Sequence, residues 1–166
     1  GGGSVNHFSA GTFQFKVGGA LNFATNIESE MHDVNSAAYI RIPFSVADVA
    51  TVRSLTLDME YNDGFVAYIN GQEAARRNAP TSVDWNSAAT APVTDLAEEQ
   101  ISLAAHISAL ETGANVLAIH GLNVDANDND FLIRPADLTA RRPPQPPQLT
   151  LLTNLVINEV ASATDS

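Results

Sequence analysis

Tyr61-Asn62-Asp63-Gly64-Phe65-Val66-Ala67-Tyr68-Ile69-Asn70-Gly71 is the stretch whose reading decides the fold. It reads as a β-hairpin unit. Asn62-Asp63-Gly64 is a turn, residues 65–69 are a strand, and Asn70-Gly71 is the next turn. Asn, Asp and Gly suit such turns because they accept positive φ at little cost. Two tight turns this close together predict an antiparallel β domain.

The neighbouring segments carry the same period. Leu55, Leu57, Met59 and Tyr61 alternate with Thr56, Asp58 and Glu60, which predicts a strand with one core face and one wet face. Over residues 39–46, Ile40, Ile42 and Phe44 share one face while Tyr39 and Arg41 share the other. Pro43 cannot donate a ladder hydrogen bond, so this strand is expected at an edge or a bulge. Further strands are expected at residues 12–17, 73–76, 101–103, 115–122 and 131–133, the last closed by Arg134-Pro135. Short helical turns are expected at residues 27–32 and 104–110. Residues 78–98 form a long loop rich in Ala, Pro, Ser, Thr and Asn, with Trp85 near its middle. About eight short strands with turn signals between them predict an all-β antiparallel β-sandwich, with a jelly roll as the form.

The chain has 166 residues, 45% of them hydrophobic, which is enough for one domain with a real core. A net charge of −11 argues against nucleic acid and against an anionic membrane surface. No apolar run approaches the roughly 20 residues of a membrane helix. The absence of cysteine excludes disulfides, zinc–thiolate sites and cysteine nucleophiles. Residues 1–4 read as a linker or tag, residues 5–140 as the sandwich module, and residues 141–150 as a linker holding four of the eight prolines. Residues 151–166 read as the beginning of a following domain, so the chain is expected to be a piece of a larger protein.

The turn-strand-turn of residues 61–71, Asn78-Ala79-Pro80 with Trp85-Asn86-Ser87-Ala88-Ala89-Thr90, Gly113-Ala114-Asn115-Val116-Leu117-Ala118-Ile119-His120-Gly121-Leu122-Asn123 and Asp130-Phe131-Leu132-Ile133 together carry a resemblance. Across residues 20–138 the chain resembles a galactose-binding-like jelly-roll module of large secreted bacterial proteins of planctomycete type. Residues 155–160 look like the opening strand of a lamin-tail-like domain. The Asn70-Gly71 hairpin with the later Gly-x-Asn-Val-Leu-Ala strand is similar to the sugar-binding jelly roll of some glycoside hydrolases. Asn62-Asp63-Gly64 looks like the calcium-coordinating Asp-Asp-Gly turn of protective-antigen-type lectin domains, with Asn62 in place of the first Asp. The resemblance implies an extracellular bacterial module standing beside other domains of its parent chain.

Each candidate residue has two readings. Asp63 either ligates Ca2+, with Asn62 adding an amide oxygen, or only stabilises its turn. Asp125, Asn127, Asp128, Asn129 and Asp130 offer many oxygens, with Asp128 and Asp130 as metal candidates beside Asp63. They form either a solvated loop or a cation site. Trp85 either stacks on a sugar or folds back to plug one end of the sandwich. Tyr68 lies on the neighbouring hairpin. His120 is expected as a hydrogen-bonded core or edge histidine. Arg76 and Arg77 are expected in solvent, one of them able to pair with the acidic loop, and Arg134 is expected in a structural ion pair.

No nucleophile elbow, zinc-protease motif or phosphate loop is present, so no catalysis is expected. The expected function is non-catalytic binding of a poly- or oligosaccharide through Trp85, Tyr68, Asn62, Asp63 and Arg76, with Ca2+ as a structural or bridging ion. The alternative is a calcium-stabilised structural or adhesive spacer without a glycan ligand.

Overall fold

The structure, a computed structural model, describes residues 5–8 and 25–142. The strands expected at residues 12–17 and 155–160 lie outside the described residues, as do residues 1–4 and 143–166. Among the described residues eight strands run in the order β1 (Val5–Phe8), β2 (Ala37–Val46), β3 (Ser54–Asn62), β4 (Gly64–Ile69), β5 (Gln72–Arg77), β6 (Ala97–Ser102), β7 (Gly113–Leu122) and β8 (Leu132–Arg141). A single-turn helix, α1 (Glu28–Met31), precedes β2, and 3-10 turns occupy Val49–Thr51 and Ala104–Ala109.

The strands form two antiparallel sheets of four, in the orders β1-β8-β3-β6 and β2-β7-β4-β5. Every connection between consecutive strands crosses from one sheet to the other except β4–β5. This is the strand order of an eight-stranded jelly roll, and the fold class expected from the sequence holds.

The alternation along β3 explains its place. Leu55, Leu57 and Met59 are at most 1% exposed, while the residues between them are half-buried. Phe65, Ala67 and Ile69 of β4 and Leu117 and Ile119 of β7 face them from the other sheet and complete the core. Tyr61 and Phe65 meet edge-on, with ring centroids 4.9 Å apart, which joins the two layers where the chain crosses between them. Each fully buried Leu, Ile or Phe in this layer contributes roughly 1.5–3 kcal/mol of burial.

Two expectations about turns divide. Asn70-Gly71 is a hairpin turn: φ is +48° at Asn70 and +83° at Gly71, and β4 pairs with β5 across it. Asn62-Asp63-Gly64 is not one. β3 and β4 belong to different sheets, so Asp63 sits where the chain arches from layer to layer and is fully buried. Local turn chemistry is the same for an arch and a hairpin, which is why the sequence does not separate them.

The prolines also resolve. Pro43 lies on β2, the edge of its sheet, as expected. Pro135 does not close the last strand; β8 continues to Arg141, so that residue ends the strand rather than opening the linker. Among the described residues β1 pairs with Leu138, Thr139, Ala140 and Arg141, and the Pro135 half of β8 has β3 as its strand neighbour, which leaves the proline without a described ladder partner on its other side. A bulge lies there, since Asp58 pairs with Asp137 and Met59 with Pro135, leaving Ala136 over.

Gly64 opens β4 against the end of β5. A Cβ there would stand 2.7 Å from the Asn78 carbonyl oxygen and 2.8 Å from that of Arg77, both backbone atoms. Gly64→Ala is therefore expected to lower stability by roughly 1–3 kcal/mol, read as a lower urea midpoint with an unchanged slope.

Candidate functional site

Two groups of candidate residues emerge, at different places on the sandwich. The first surrounds the arch. The peptide between Asn62 and Asp63 is cis. The Asp63 carboxylate accepts the Val93 amide at 2.6 Å through Oδ1 and the Val124 amide at 2.7 Å through Oδ2. Its own amide donates to the Leu122 carbonyl at 3.3 Å, and its carbonyl accepts the Asn78 side-chain amide at 3.1 Å. Asp63 thus ties the long loop, the end of β7 and the acidic loop to the arch.

Asn62 is buried as well and donates through Nδ2 to Asp130 Oδ2 at 3.1 Å. Its Oδ1 is buried and has no partner. The Asp128 carbonyl accepts from Asn123 Nδ2 at 3.2 Å, and its carboxylate accepts the Asn129 amide at 2.7 Å. Burial, and then the neighbouring Asp128, push the Asp130 carboxyl above its ordinary value. Burial likewise raises Asp63, and its two amide donors work in the opposite direction. The sequence-expected Asn62, Asp63, Asp128 and Asp130 therefore do gather. Among the described residues, however, no three His, Asp or Glu side chains are arranged to hold a metal ion. The oxygens of Asp63 are directed at backbone amides.

The second group lies on the outward face of the β2-β7-β4-β5 sheet. Cross-strand register places Tyr39, His120, Val66 and Arg76 in one row, and Arg41, Ala118, Tyr68 and Glu73 in the next. Tyr39 is 59% exposed and its ring stacks on His120, with centroids 4.2 Å apart and planes 16° apart. Tyr68 is half-buried, and burial and then Glu73 raise its hydroxyl pKa.

Arg76 is not free in solvent. It forks onto Glu73 at 2.8 and 2.7 Å and also donates to the Pro80 carbonyl. Arg77 pairs with Glu99 in the same way, so neither arginine reaches the acidic loop as considered from the sequence. Arg134 pairs with Glu60 as expected, at 2.8 and 2.6 Å.

The long loop covers one end of this outward face. Ala89, Ala79 and Val83 pack on Ala37 and Leu122, in the row next to Tyr39 and His120. Asn78, Thr90 and Ala91 bind one another at the loop's base, and Ser36 donates to the Asn86 carbonyl at 2.9 Å. Trp85 projects from the turn so anchored and is 70% exposed, so it does not plug the sandwich.

The five ligand residues expected from the sequence therefore split. Tyr68 and Arg76 share the sheet face that the Trp85 loop overlies, while Asn62 and Asp63 are buried at the arch. His120 is buried as expected, but on the outward face beneath Tyr39, with Nε2 unpartnered. Sequence reasoning missed Tyr39 and Arg41 as site residues. Their shared face was visible in the period-two pattern of β2, but nothing local said what lay beside it. An apolar groove of about 260 Å³ runs past Ile27, Met31, Phe131 and Ile133 and reaches Tyr39 and Ala37 at the edge of this sheet. It offers few polar groups to orient a ligand.

Asp63→Ala removes the acceptor of the Val93 amide and one of the two acceptors of the Val124 amide, which also reaches Asn123 Oδ1 at 3.0 Å, and is expected to lower stability by roughly 1–3 kcal/mol in urea unfolding. The raised Asp130 carboxyl binds its proton more readily in the folded protein than in the unfolded one. Its contribution is thus present at acidic pH and lost as pH rises through the folded value. Asp130→Asn should accordingly raise Tm near neutral pH, measured without calcium, and change it little near pH ~3. Compared with known proteins, the chain matches no family model and no curated protein, so its function has to be read from this geometry.

Proposed function

We propose that this chain is a non-catalytic carbohydrate-binding module of a secreted, multidomain bacterial protein. The observation that carries the reading is Trp85, 70% exposed on a turn whose backbone is held by side-chain hydrogen bonds. A single exposed ring is ordinary on a protein surface; what favours a ligand here is that the turn bearing this one is anchored beside the exposed Tyr39 face. An indole presented in this way offers contact area to the apolar face of a sugar ring with little entropy left to lose. The resemblance to galactose-binding-like modules supports the same reading. A poly- or oligosaccharide held by one or two rings and a few hydroxyl contacts would bind with a dissociation constant of about 0.1–1 mM, roughly 4–5.5 kcal/mol. Linkage to adjacent domains of the parent chain would raise its avidity.

A second reading has its own observation. Asn62 Oδ1 is buried without a partner beside Asp130, whose carboxyl is raised in part by Asp128. Ca2+ held there by Asp128, Asp130 and Asn62, behind the Asp63 amide cap, would stabilise the acidic loop of a structural or adhesive spacer.

Thermal unfolding with calcium, with EDTA and against a panel of soluble glycans separates the two, because a native-state ligand raises Tm. The carbohydrate reading expects a glycan-dependent rise that Trp85→Ala abolishes while changing intrinsic stability by less than about 0.5 kcal/mol. A rise with calcium alone, together with a glycan panel that protects nothing, would favour the spacer.

A further inference from the structure

Resting on the carbohydrate-binding reading, we propose that the ligand is an acidic glycan, bound on the outward face of the β2-β7-β4-β5 sheet with its carboxylate or sulfate group on Arg41 and its sugar rings on Tyr39 and Tyr68.

The face supplies three things. The first is a fixed aromatic platform. Tyr39 lies parallel to His120, 4.2 Å away, so one side of its ring is supported and the other faces solvent. A ring held this way gives up little freedom when a sugar stacks on it. Below it, His120 Nε2 is buried and has no hydrogen-bond partner, a polar atom the fold itself leaves unused.

The second is a trough. Arg41 and Tyr68 lie on strands two apart, roughly 10 Å between backbones, and the residue between them in register is Ala118. A methyl group between two long side chains leaves a depression between them. Tyr39 borders it one row along, toward the end that the Trp85 loop covers.

The third is an unclaimed positive charge. Arg76, Arg77 and Arg134 each grip a carboxylate. Arg41 is exposed and makes no hydrogen bond or ion pair among the described residues. In a chain of net charge −11 with eight Lys and Arg in all, a guanidinium without a partner among the described residues, beside Tyr39 and across Ala118 from Tyr68, is complementary to an anion. Its planar fork matches a carboxylate or a sulfate ester through two parallel hydrogen bonds. The like-charged remainder of the surface repels polyanions that do not engage this point.

The test uses the full chain in affinity electrophoresis and calorimetry against matched polysaccharides: polygalacturonate beside its fully methyl-esterified form, and dextran sulfate beside dextran. The expected result is binding to an acidic member at least tenfold tighter than to its neutral counterpart. That preference should disappear in Arg41→Gln, persist in part in Arg41→Lys, and survive in the control Arg142→Gln. Tyr39→Ala should weaken binding to the same acidic member, with Tm confirming that each variant folds. Preference for the uronate pair alone assigns a carboxylate, and for the sulfate pair alone a sulfate ester. Equal binding of charged and neutral members, unaffected by Arg41→Gln, overturns the acidic-ligand inference and leaves the carbohydrate-binding reading intact. Failure of these pairs and of the neutral glycan panel overturns both.

Discussion

The Asp63 carboxylate is the constraint on which the rest of the molecule's working end depends. It is fully buried where the chain crosses from one sheet to the other, and it accepts two backbone amides from two separate loops. A buried acceptor with good donors is modestly stabilising, but each donor deprived of it carries a desolvation cost of about 1–3 kcal/mol. The arrangement therefore acts as an all-or-none clasp. The start of the long loop reaches it through Asn78, its later part through Val93, and the acidic loop through Val124. With both ends of the long loop fixed, the segment between them lies down on the sheet and presents Trp85 outward.

The two outer faces of the sandwich differ in a way that follows from this anchoring. On the β1-β8-β3-β6 sheet, Asp58, Glu60, Glu98 and Gln100 face outward with Arg134 among them. Glu60 and Glu98 stand directly opposite each other, a placement tolerated because Arg134 forks onto Glu60. The other sheet carries Tyr39 and Arg41 in the open, Tyr68 half-buried, and Leu122, Val66 and Ala37 in buried positions, with Ala37 and Leu122 covered by the long loop. One sheet is a solvated acidic surface. The other is an aromatic surface partly roofed by its own chain, on which apolar area and a cation lie side by side.

Most of the sandwich was legible from period-two alternation, because burying one face of a strand leaves that mark on the residues themselves. β2 and β3 could be placed within a few residues on that basis, β4 from the turn residues that flank it and β7 from its apolar run, and Pro43 correctly marked an edge. β8 was cut short because a proline argues against a ladder, and the bulge at Ala136, which no local pattern announces, is what accommodates it. The strand at Val5–Phe8 was not anticipated at all; four residues are too few to show a period.

The candidate site was legible only in part, for a related reason. Residue chemistry singled out Trp85, Tyr68 and the acidic loop, since exposed rings and clustered oxygens are local properties. The sequence by itself determined the class of fold and the alternating faces of its strands. Only the tertiary structure decided that Asn62-Asp63-Gly64 is an arch rather than a hairpin, that Asp63 faces amides, and that Tyr39, Arg41 and Tyr68 share one sheet face on either side of β7. The physical reason is that strand partners are chosen by contacts far apart along the chain. A local pattern states which way a side chain points, but not what stands beside it.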